Sequence, residues 1–248
     1  MLLRLALIAV LNGYQYGGTF IGAVICQDGI VIASDSRSTF LDGSGRAFGY
    51  IDGMPKIYAG SGAAVAVTGM TSVEGEMFSS FVNRNRFLLD RAVNETLFGF
   101  AVWLPFTNSN NIGMISAGFL DGMATICAKA PIAPQSCSKS GFIANKTSAS
   151  LRDSLSKLGR APTTSEAATA LTMAIEEYSR MDPTVGGPIS ILKLSDGNAP
   201  QWLTSPLSEN GPARICDVVR EYRAGQQRIM PLGTREELDQ HLSAACPR

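Results

Sequence analysis

The order of the predicted elements indicates an α+β fold. The expected architecture is a four-layer αββα sandwich, in which two antiparallel sheets pack face to face between outer layers of helices. Strand patterns come first along the chain, and helical patterns, a strand hairpin, further helices and closing strands follow in turn. The chain has 248 residues, of which 45% are hydrophobic, and this is enough for one large domain with a substantial core.

The individual elements follow from apolar periodicity and from turn residues. Apolar runs bounded by turn formers predict strands, and apolar residues at intervals of three and four predict helices. Two hairpin turns are predicted at Asp28-Gly29 and Asp121-Gly122, because Asp-Gly pairs favour two-residue turns. The predicted strands are 19–26, 30–34, 56–59, 63–68, 111–119, 123–128, 187–194 and 201–203. The predicted helices are 71–93, 148–158, 164–180, 213–223 and 235–245.

Charge and residue usage argue against several functional classes. The formal net charge is zero and no run of Lys or Arg occurs, so we expect no nucleic-acid partner. No stretch reaches the roughly 18–20 apolar residues that span a membrane, so we expect no membrane partner either. The single histidine, His241, is predicted to lie on the surface. A Ser-His-Asp enzyme or a histidine-rich metal site would need that residue, so we expect neither a metal nor another cofactor.

The cysteines give a prediction about the compartment. The five residues Cys26, Cys127, Cys137, Cys216 and Cys246 are an odd number and contain no CxxC pair. This pattern is poor evidence for a disulfide framework or a zinc site, and it favours scattered buried thiols, with Cys26 in the core. A reducing compartment, and therefore the cytoplasm, is the simpler inference.

The N-terminal segment divides the chain into regions. Residues 1–11, MLLRLALIAVL, contain one arginine in an apolar run, as a signal peptide would, but no A-x-A-type cleavage site follows. We interpret residues 1–18 as a propeptide and keep a weak export signal as the alternative. Residues 19–203 then form the main domain, and residues 204–248 form a C-terminal extension of unknown role.

The segment from Gly17 to Thr39, GGTFIGAVICQDGIVIASDSRST, carries the strongest functional signal. It places Thr19 behind two glycines and Asp35 16 positions later. A threonine hydroxyl is a weak nucleophile that needs a base close by. Cleavage between Gly18 and Thr19 would free an α-amine with a pKa of about 7.7–8.0, so that one residue supplies both nucleophile and base. The segment closely resembles the start of a proteasome β-subunit, or of a bacterial proteasome homologue, in the N-terminal-nucleophile hydrolase class.

The resemblance implies an activating lysine and an oxyanion donor. Lys56, in Met-Pro-Lys-Ile-Tyr, matches the lysine that leads a strand in that family. It follows Thr19 by 37 positions, slightly more than the family usually has, and the glycine-rich loop 43–53 accounts for the excess. Asp35 would hold the Lys56 ammonium toward Thr19 by a charge-assisted hydrogen bond. Gly69 would offer its backbone N–H to the oxyanion.

The same resemblance implies substrate contacts and a supporting aspartate. Thr39 would present its backbone to a substrate that binds as an added strand, and Val67 would line an apolar or small specificity pocket. Asp182, in MDPTVGGP, matches the supporting aspartate near the nucleophile. Two positions depart from the pattern: Val185 and Asn145 stand where the family has serines, so the hydrogen bonds around the α-amine differ.

Even with these two departures, the resemblance implies a self-processing threonine-type endopeptidase, with residues 19–203 as its catalytic domain. Its substrate would be a polypeptide. Its subunits would assemble into a homo-oligomeric ring, or into two stacked rings. Whether an unfoldase partner exists is unknown. Two alternatives stay open. One is a non-catalytic structural subunit of the same fold, which Val185 favours weakly. The other is a small-amide hydrolase of the same nucleophile class, which a monomeric state would favour.

Overall fold

The computed structural model describes residues 19–42, 44–69, 72–73, 76–103, 112–130, 133–146, 148–208 and 212–247. The predicted propeptide 1–18, including Gly18, lies outside the described residues. The strands are β1 (Ile21–Cys26), β2 (Gly29–Ser34), β3 (Ser38–Leu41), β4 (Ala47–Ile51), β5 (Ile57–Ala59), β6 (Ala63–Gly69), β7 (Ser72–Val73), β8 (Glu76–Met77), β9 (Ile112–Leu120), β10 (Met123–Lys129), β11 (Ser136–Ser138), β12 (Phe142–Ala144), β13 (Ser190–Leu194), β14 (Gln201–Trp202) and β15 (Met230–Pro231). The helices are α1 (Phe78–Arg84), α2 (Val93–Trp103), α3 (Ala149–Ser156), α4 (Thr164–Met181), α5 (Ile215–Arg223) and α6 (Arg235–Ala245), with a 3-10 helix at Arg86–Asp90.

Two five-stranded antiparallel sheets form the centre of the fold. The first has the order β12-β1-β2-β13-β14 and the second β11-β10-β9-β6-β5. Helices α3 and α4 cover the outer face of the first sheet, and α1, α2 and the 3-10 helix cover the outer face of the second. The predicted four-layer αββα sandwich, the N-terminal-nucleophile hydrolase fold, is therefore confirmed.

Three apolar layers hold the sandwich together, and β1 contributes to two of them. Ile21, Ala23 and Ile25 point to the layer between the sheets, whereas Val24 and Cys26 point to helices α3 and α4. All residues of β1 and β2 are buried, because both faces of this sheet are covered. These two strands are the rigid base from which the chain around Thr19 and Asp35 extends.

The segment between β6 and β9 differs from its prediction. A single helix was expected over 71–93, but Ser72 and Met77 pair in the short β7–β8 hairpin, and α1 starts only at Phe78. Asn85 ends α1, because both its backbone N–H and its side-chain amide donate to the Phe81 carbonyl. The amide competes with the helical hydrogen-bond pattern, which is why asparagine favours helix ends. Helix α2, which was not predicted, follows the 3-10 helix.

A third sheet occupies the region that was expected to be a glycine-rich loop. Strands β3 and β4 form a hairpin, and β15 from the C-terminal extension pairs with the other edge of β4. Helices α5 and α6 pack on this sheet around a separate apolar cluster that includes Phe40, Phe48 and Leu238. His241, expected on the surface, is partly buried and stacks on Phe48 with ring centroids 4.6 Å apart.

The prediction of unpaired thiols is wrong for four cysteines. Cys127 in β10 is bonded to Cys137 in β11, and Cys216 in α5 is bonded to Cys246 at the end of α6. Cys26 is free and buried, as expected, and burial raises its pKa to about 12. Sequence spacing gave no signal because both pairs depend on tertiary contacts. Disulfides persist in oxidising compartments, so the inference of a reducing compartment loses its basis.

Within the described part of the chain, no helix combines the length and the apolar character needed to cross a membrane.

The Cys216–Cys246 bond is predicted to stabilise the C-terminal extension. Replacing both residues (Cys216→Ser with Cys246→Ser) should lower the free energy of unfolding by about 3–4 kcal/mol, because the bond closes a loop with a sequence separation of 30 residues. Urea denaturation under non-reducing conditions measures this. Equal denaturation midpoints for the variant and the parent protein would contradict the prediction.

Candidate active site

Thr19, Asp35 and Lys56 meet at one end of the sandwich. The Lys56 Nζ lies 2.7 Å from Thr19 Oγ1 and 3.1 Å from Asp35 Oδ1. The three residues are almost completely buried, with exposed fractions of 2% for Thr19, 0% for Asp35 and 1% for Lys56. A hydroxyl, an ammonium and a carboxylate are thus in contact out of water, where electrostatic interactions are strong.

The spacing of 16 between Thr19 and Asp35 is a consequence of the β1–β2 hairpin. Ile21 pairs with Ser34 at the open end of the hairpin, so the residues that precede β1 and follow β2 come together. Phe20 donates its N–H to Asp35 Oδ1 at 2.9 Å, and Asp35 donates its own N–H to the Phe20 carbonyl at 3.2 Å. The hairpin therefore places Thr19 and the Asp35 carboxylate opposite each other.

The second oxygen of Asp35 is held by two backbone groups. Oδ2 accepts from the N–H of Gly186 at 2.9 Å and from the N–H of Arg37 at 3.2 Å. The neighbouring Gly187 has φ +75, and a Cβ there would lie 2.6 Å from Ser36 Oγ. The Gly-Gly pair in MDPTVGGP therefore lets the 182–187 loop approach Asp35 closely.

Lys56 uses all three of its ammonium hydrogens within the site. It donates to Thr19 Oγ1, to Asp35 Oδ1 and to the Arg37 carbonyl. Burial lowers the pKa of Lys56 below its ordinary value, against the opposing effect of the Asp35 charge. Burial also raises the pKa of Asp35, although Lys56 and the Gly186 N–H oppose this shift. Lys56 consequently gives up a proton more easily than a solvated lysine does.

Arg37 ties the surrounding loops together. Its guanidinium binds both carboxylate oxygens of Asp52, at 2.8 Å and 3.0 Å, and donates to the Pro183 carbonyl at 2.7 Å. It also lies 3.7 Å from the centroid of the Tyr50 ring. A planar guanidinium suits this combination of a bidentate ion pair and an aromatic face. The chain after β2, the end of β4 and the 182–187 loop are thereby fixed around Asp35.

The predicted substrate-side residues occupy two different strands. Gly69 ends β6 with φ +98, a conformation that favours glycine. Val67 in the same strand is 4% exposed and packs in the layer between the second sheet and helices α1 and α2. Thr39 lies in β3, which pairs with β4 along one edge. The Thr39 hydroxyl is buried and has no hydrogen-bond partner among the described residues.

Asp182 has contacts that differ from those expected of a residue supporting the nucleophile. Its Oδ2 accepts from Lys146 Nζ at 2.7 Å, and its Oδ1 accepts from the Thr184 N–H at 3.0 Å. These hydrogen bonds occupy both oxygens and involve none of Thr19, Asp35 and Lys56. Val185, which replaces a family serine, is fully buried and packs in the cluster that contains Phe20.

Asn145 contacts Thr19 directly, and no sequence pattern predicted this contact. Its Nδ2 donates to the Thr19 carbonyl at 2.7 Å and to Thr68 Oγ1 at 3.1 Å. Its Oδ1 accepts from the Ile21 N–H at 2.8 Å. The one signal in the sequence was the position of Asn145, where the resemblance implies a serine.

Metal chemistry has no candidate ligand set in the described part of the chain, where no group of three or more His, Cys, Asp and Glu residues is placed to hold an ion. The described arrangement itself is a buried hydroxyl in contact with a lysine whose pKa is lowered by burial.

Comparison with known proteins supports the fold and corrects the family. No family model matches the chain, and no curated protein matches it. A Gly-1 mutant of Anbu from Hyphomicrobium sp. strain MC1 aligns with a TM-score of 0.55 and 14% identity, over 76% of this chain and 88% of that chain. Anbu from the same organism gives 0.51 and 14%, over 75% and 88%. Anbu from Yersinia bercovieri, described as an ancestral β-subunit, gives 0.52 and 13%, over 76% and 88%.

The prediction that the chain is a proteasome β-subunit-like hydrolase and a bacterial proteasome homologue is therefore wrong as a family assignment. The three solved structures named above are Anbu proteins, and identities of 13–14% show a shared proteasome-like fold alone. The motif around Thr19 reflects the β1–β2 hairpin, and the motif around Lys56 reflects the start of β5. Short motifs of this kind do not by themselves define a family.

Neutralising Asp35 is predicted to destabilise the protein. Asp35→Asn leaves the Lys56 ammonium buried without a counter-charge, so the free energy of unfolding should fall by about 3–5 kcal/mol. In the matched double variant, Asp35→Asn with Lys56→Met, the unpaired charge is gone, and much of the loss should be recovered. Urea denaturation of both proteins tests this. A double variant no more stable than Asp35→Asn alone would show that the ion pair does not carry the effect.

Proposed function

We propose that this protein is a self-processing threonine-type endopeptidase with Thr19 as its N-terminal nucleophile. The observation that carries the proposal is the contact of 2.7 Å between the Lys56 ammonium and Thr19 Oγ1, with Asp35 behind the lysine. A buried lysine aimed at a hydroxyl is the arrangement that activates such a nucleophile. A subunit kept only for its structure would have no need of this costly buried ion pair.

Self-processing begins with attack of Thr19 Oγ on the carbonyl carbon of Gly18. The Gly18–Thr19 amide bond breaks as its acyl group moves to oxygen, and the proton from the hydroxyl passes to the departing amine. Water then hydrolyses the ester, which releases the Gly18 carboxylate and leaves Thr19 with a free α-amine. Thr19 is 2% exposed in the uncleaved chain, and an enclosed nucleophile suits a zymogen.

Peptide hydrolysis uses the same hydroxyl with the new amine. The α-amine, with an ordinary pKa of about 7.7–8.0, accepts the hydroxyl proton as Thr19 Oγ attacks the substrate carbonyl, and the Lys56 ammonium stabilises that oxygen through its hydrogen bond. The Gly69 N–H stabilises the oxyanion. The substrate amine departs with a proton, and water hydrolyses the resulting ester. Asp35 keeps Lys56 directed at the oxygen throughout.

The substrate is a polypeptide that binds as an extended strand. Its backbone pairs with β3 near Thr39. The proposed preference for small or apolar side chains rests on Val67 bordering the pocket, and Val67 itself is 4% exposed and packs between the second sheet and helices α1 and α2. Asp182 binds Lys146 and accepts a hydrogen bond from the Thr184 N–H, and these contacts stabilise the 182–187 loop. The same loop supports Asp35 through the Gly186 N–H. The two disulfides favour export of the chain over a cytoplasmic location.

The proposal also places the active site inside a closed assembly. A strand-binding peptidase in open solution would cut any unfolded chain, so we place Thr19 inside a homo-oligomeric ring, single or stacked. Zero net charge offers little repulsion to such association. The first alternative, a non-catalytic subunit, would lack self-cleavage. The second, a small-amide hydrolase, would work as a monomer.

The first test of the proposal is the identity of the mature N-terminus. We expect intact mass and N-terminal sequencing of the purified protein to show a chain that starts at Thr19, because only a free amine completes the site.

Thr19→Ala should abolish self-cleavage and peptide hydrolysis together, and Lys56→Ala should reduce both. The control is Thr169→Ala, since this exposed hydroxyl on α4 lies in none of the contacts of the site. Full peptidase activity in Thr19→Ala would require another nucleophile.

Assembly is tested separately. Light scattering and electron microscopy of the processed protein should show a closed ring, and folded proteins should be cut far more slowly than short peptides. A stable monomer that still hydrolyses peptides would contradict the ring and would favour the small-amide hydrolase.

A further inference from the structure

Asn145 extends the β1–β12 pairing to the residues next to the nucleophile. Ala144 is the partner of Gly22 at the end of β12, so Asn145 lies opposite Ile21. The Asn145 N–H donates to the Ile21 carbonyl at 3.1 Å, and its side-chain Oδ1 accepts from the Ile21 N–H at 2.8 Å. Backbone and side chain of one residue therefore satisfy both polar groups of Ile21.

The other half of the amide faces the nucleophile. Its two hydrogens have separate acceptors, the Thr19 carbonyl at 2.7 Å and the Thr68 hydroxyl oxygen at 3.1 Å. A carboxylate in this place would have no hydrogen to donate, and a serine would have only one. The position thus uses a property that asparagine has and serine lacks.

These contacts join the nucleophile to the strand that carries the oxyanion donor. Thr68 is 7% exposed in β6 and directly precedes Gly69. Asn145 therefore fixes the peptide plane after Thr19 with respect to the Gly69 N–H. The tether matters most after processing, because cleavage removes the covalent bond on the other side of Thr19. New chain termini fray unless other contacts hold them.

We infer that Asn145 is a positioning residue, which holds the main chain of the processed Thr19 in register with the oxyanion donor on β6. The inference rests on the proposed function and deepens it. It predicts that loss of the two donated hydrogen bonds misplaces the hydroxyl in the transition state while substrate binding along β3 persists.

The experiment compares two substitutions that separate the two halves of the amide. Asn145→Asp keeps an acceptor for the Ile21 N–H but loses both donors. Asn145→Ala loses all three side-chain hydrogen bonds and keeps the backbone bond to Ile21. Steady-state hydrolysis of a short fluorogenic peptide by the processed proteins gives kcat and KM. For both variants we expect kcat to fall about 10- to 100-fold, the size typical of lost supporting contacts, with KM changed less than about threefold.

A structural measurement accompanies the kinetics and does not depend on activity. Peptide-level hydrogen exchange across the start of β1 should show faster exchange at Ile21 in Asn145→Ala and near-parent exchange in Asn145→Asp. Asn198→Ala is the matched control, because that side chain donates to the Asp196 carbonyl in an exposed turn. The control should leave both kcat and the exchange at Ile21 unchanged.

Thr68→Val completes the design as a double-mutant cycle. Thr68 accepts from the same Nδ2, so the loss in kcat from Asn145→Ala combined with Thr68→Val should be smaller than the product of the two single losses. Multiplicative effects would mean that Thr68 and Asn145 act independently, and they would overturn the proposed link to β6.

The remaining outcomes separate this inference from the proposed function. Parent-like kcat in Asn145→Asp, or a loss confined to KM, would overturn the positioning role while the peptidase proposal stood. If the parent protein itself shows neither processing nor hydrolysis, the proposed function fails. Exchange at Ile21 then still tests the anchor: unchanged exchange in Asn145→Ala, measured in the Thr19→Ala background, would overturn it.

Discussion

The buried ion pair between Lys56 and Asp35 constrains everything around it. Two charges taken out of water cost several kcal/mol each unless every donor and acceptor finds a partner. Asp35 meets this demand through the N–H groups of Phe20, Arg37 and Gly186, and Lys56 through Thr19 and the Arg37 carbonyl. The β1–β2 hairpin, the start of β5 and the 182–187 loop must all converge for the pair to exist. Thr19 is held by the same contacts, so the stability of this end of the sandwich and the chemistry that we propose for Thr19 depend on one arrangement.

The C-terminal extension affects the site through the β3–β4 hairpin. Helices α5 and α6 and strand β15 cover that hairpin with their own apolar cluster, and the Cys216–Cys246 bond joins the two helices. The hairpin follows Arg37 directly, and its far end carries Tyr50 and Asp52, which hold the guanidinium of Arg37. The C-terminal extension, which matched no motif, thus supports strand β3, along which we propose that substrate binds.

Much of the sandwich was predictable because its strands and helices have strong local signals. The Asp121-Gly122 turn and helix α4, with its Thr163–Glu166 capping box, are examples. The grouping of Thr19, Asp35 and Lys56 was expected from the resemblance of their segments to those of a proteasome β-subunit, and the three side chains are in contact. The β3–β4 hairpin was missed because its core is completed by residues such as Leu238, far away in sequence. The disulfides and the contacts of Asn145 were missed for the same reason: each depends on a tertiary contact that no local pattern encodes.

The central claim is that Thr19 Oγ is the group this site activates, and covalent labelling tests it most directly. A peptidyl β-lactone acylates an activated hydroxyl, and peptide mapping by mass spectrometry locates the adduct. The account predicts one adduct on Thr19 of the processed protein, formed much more slowly in Lys56→Ala. An adduct on another residue, or equal labelling of Thr19 with and without Lys56, would contradict it.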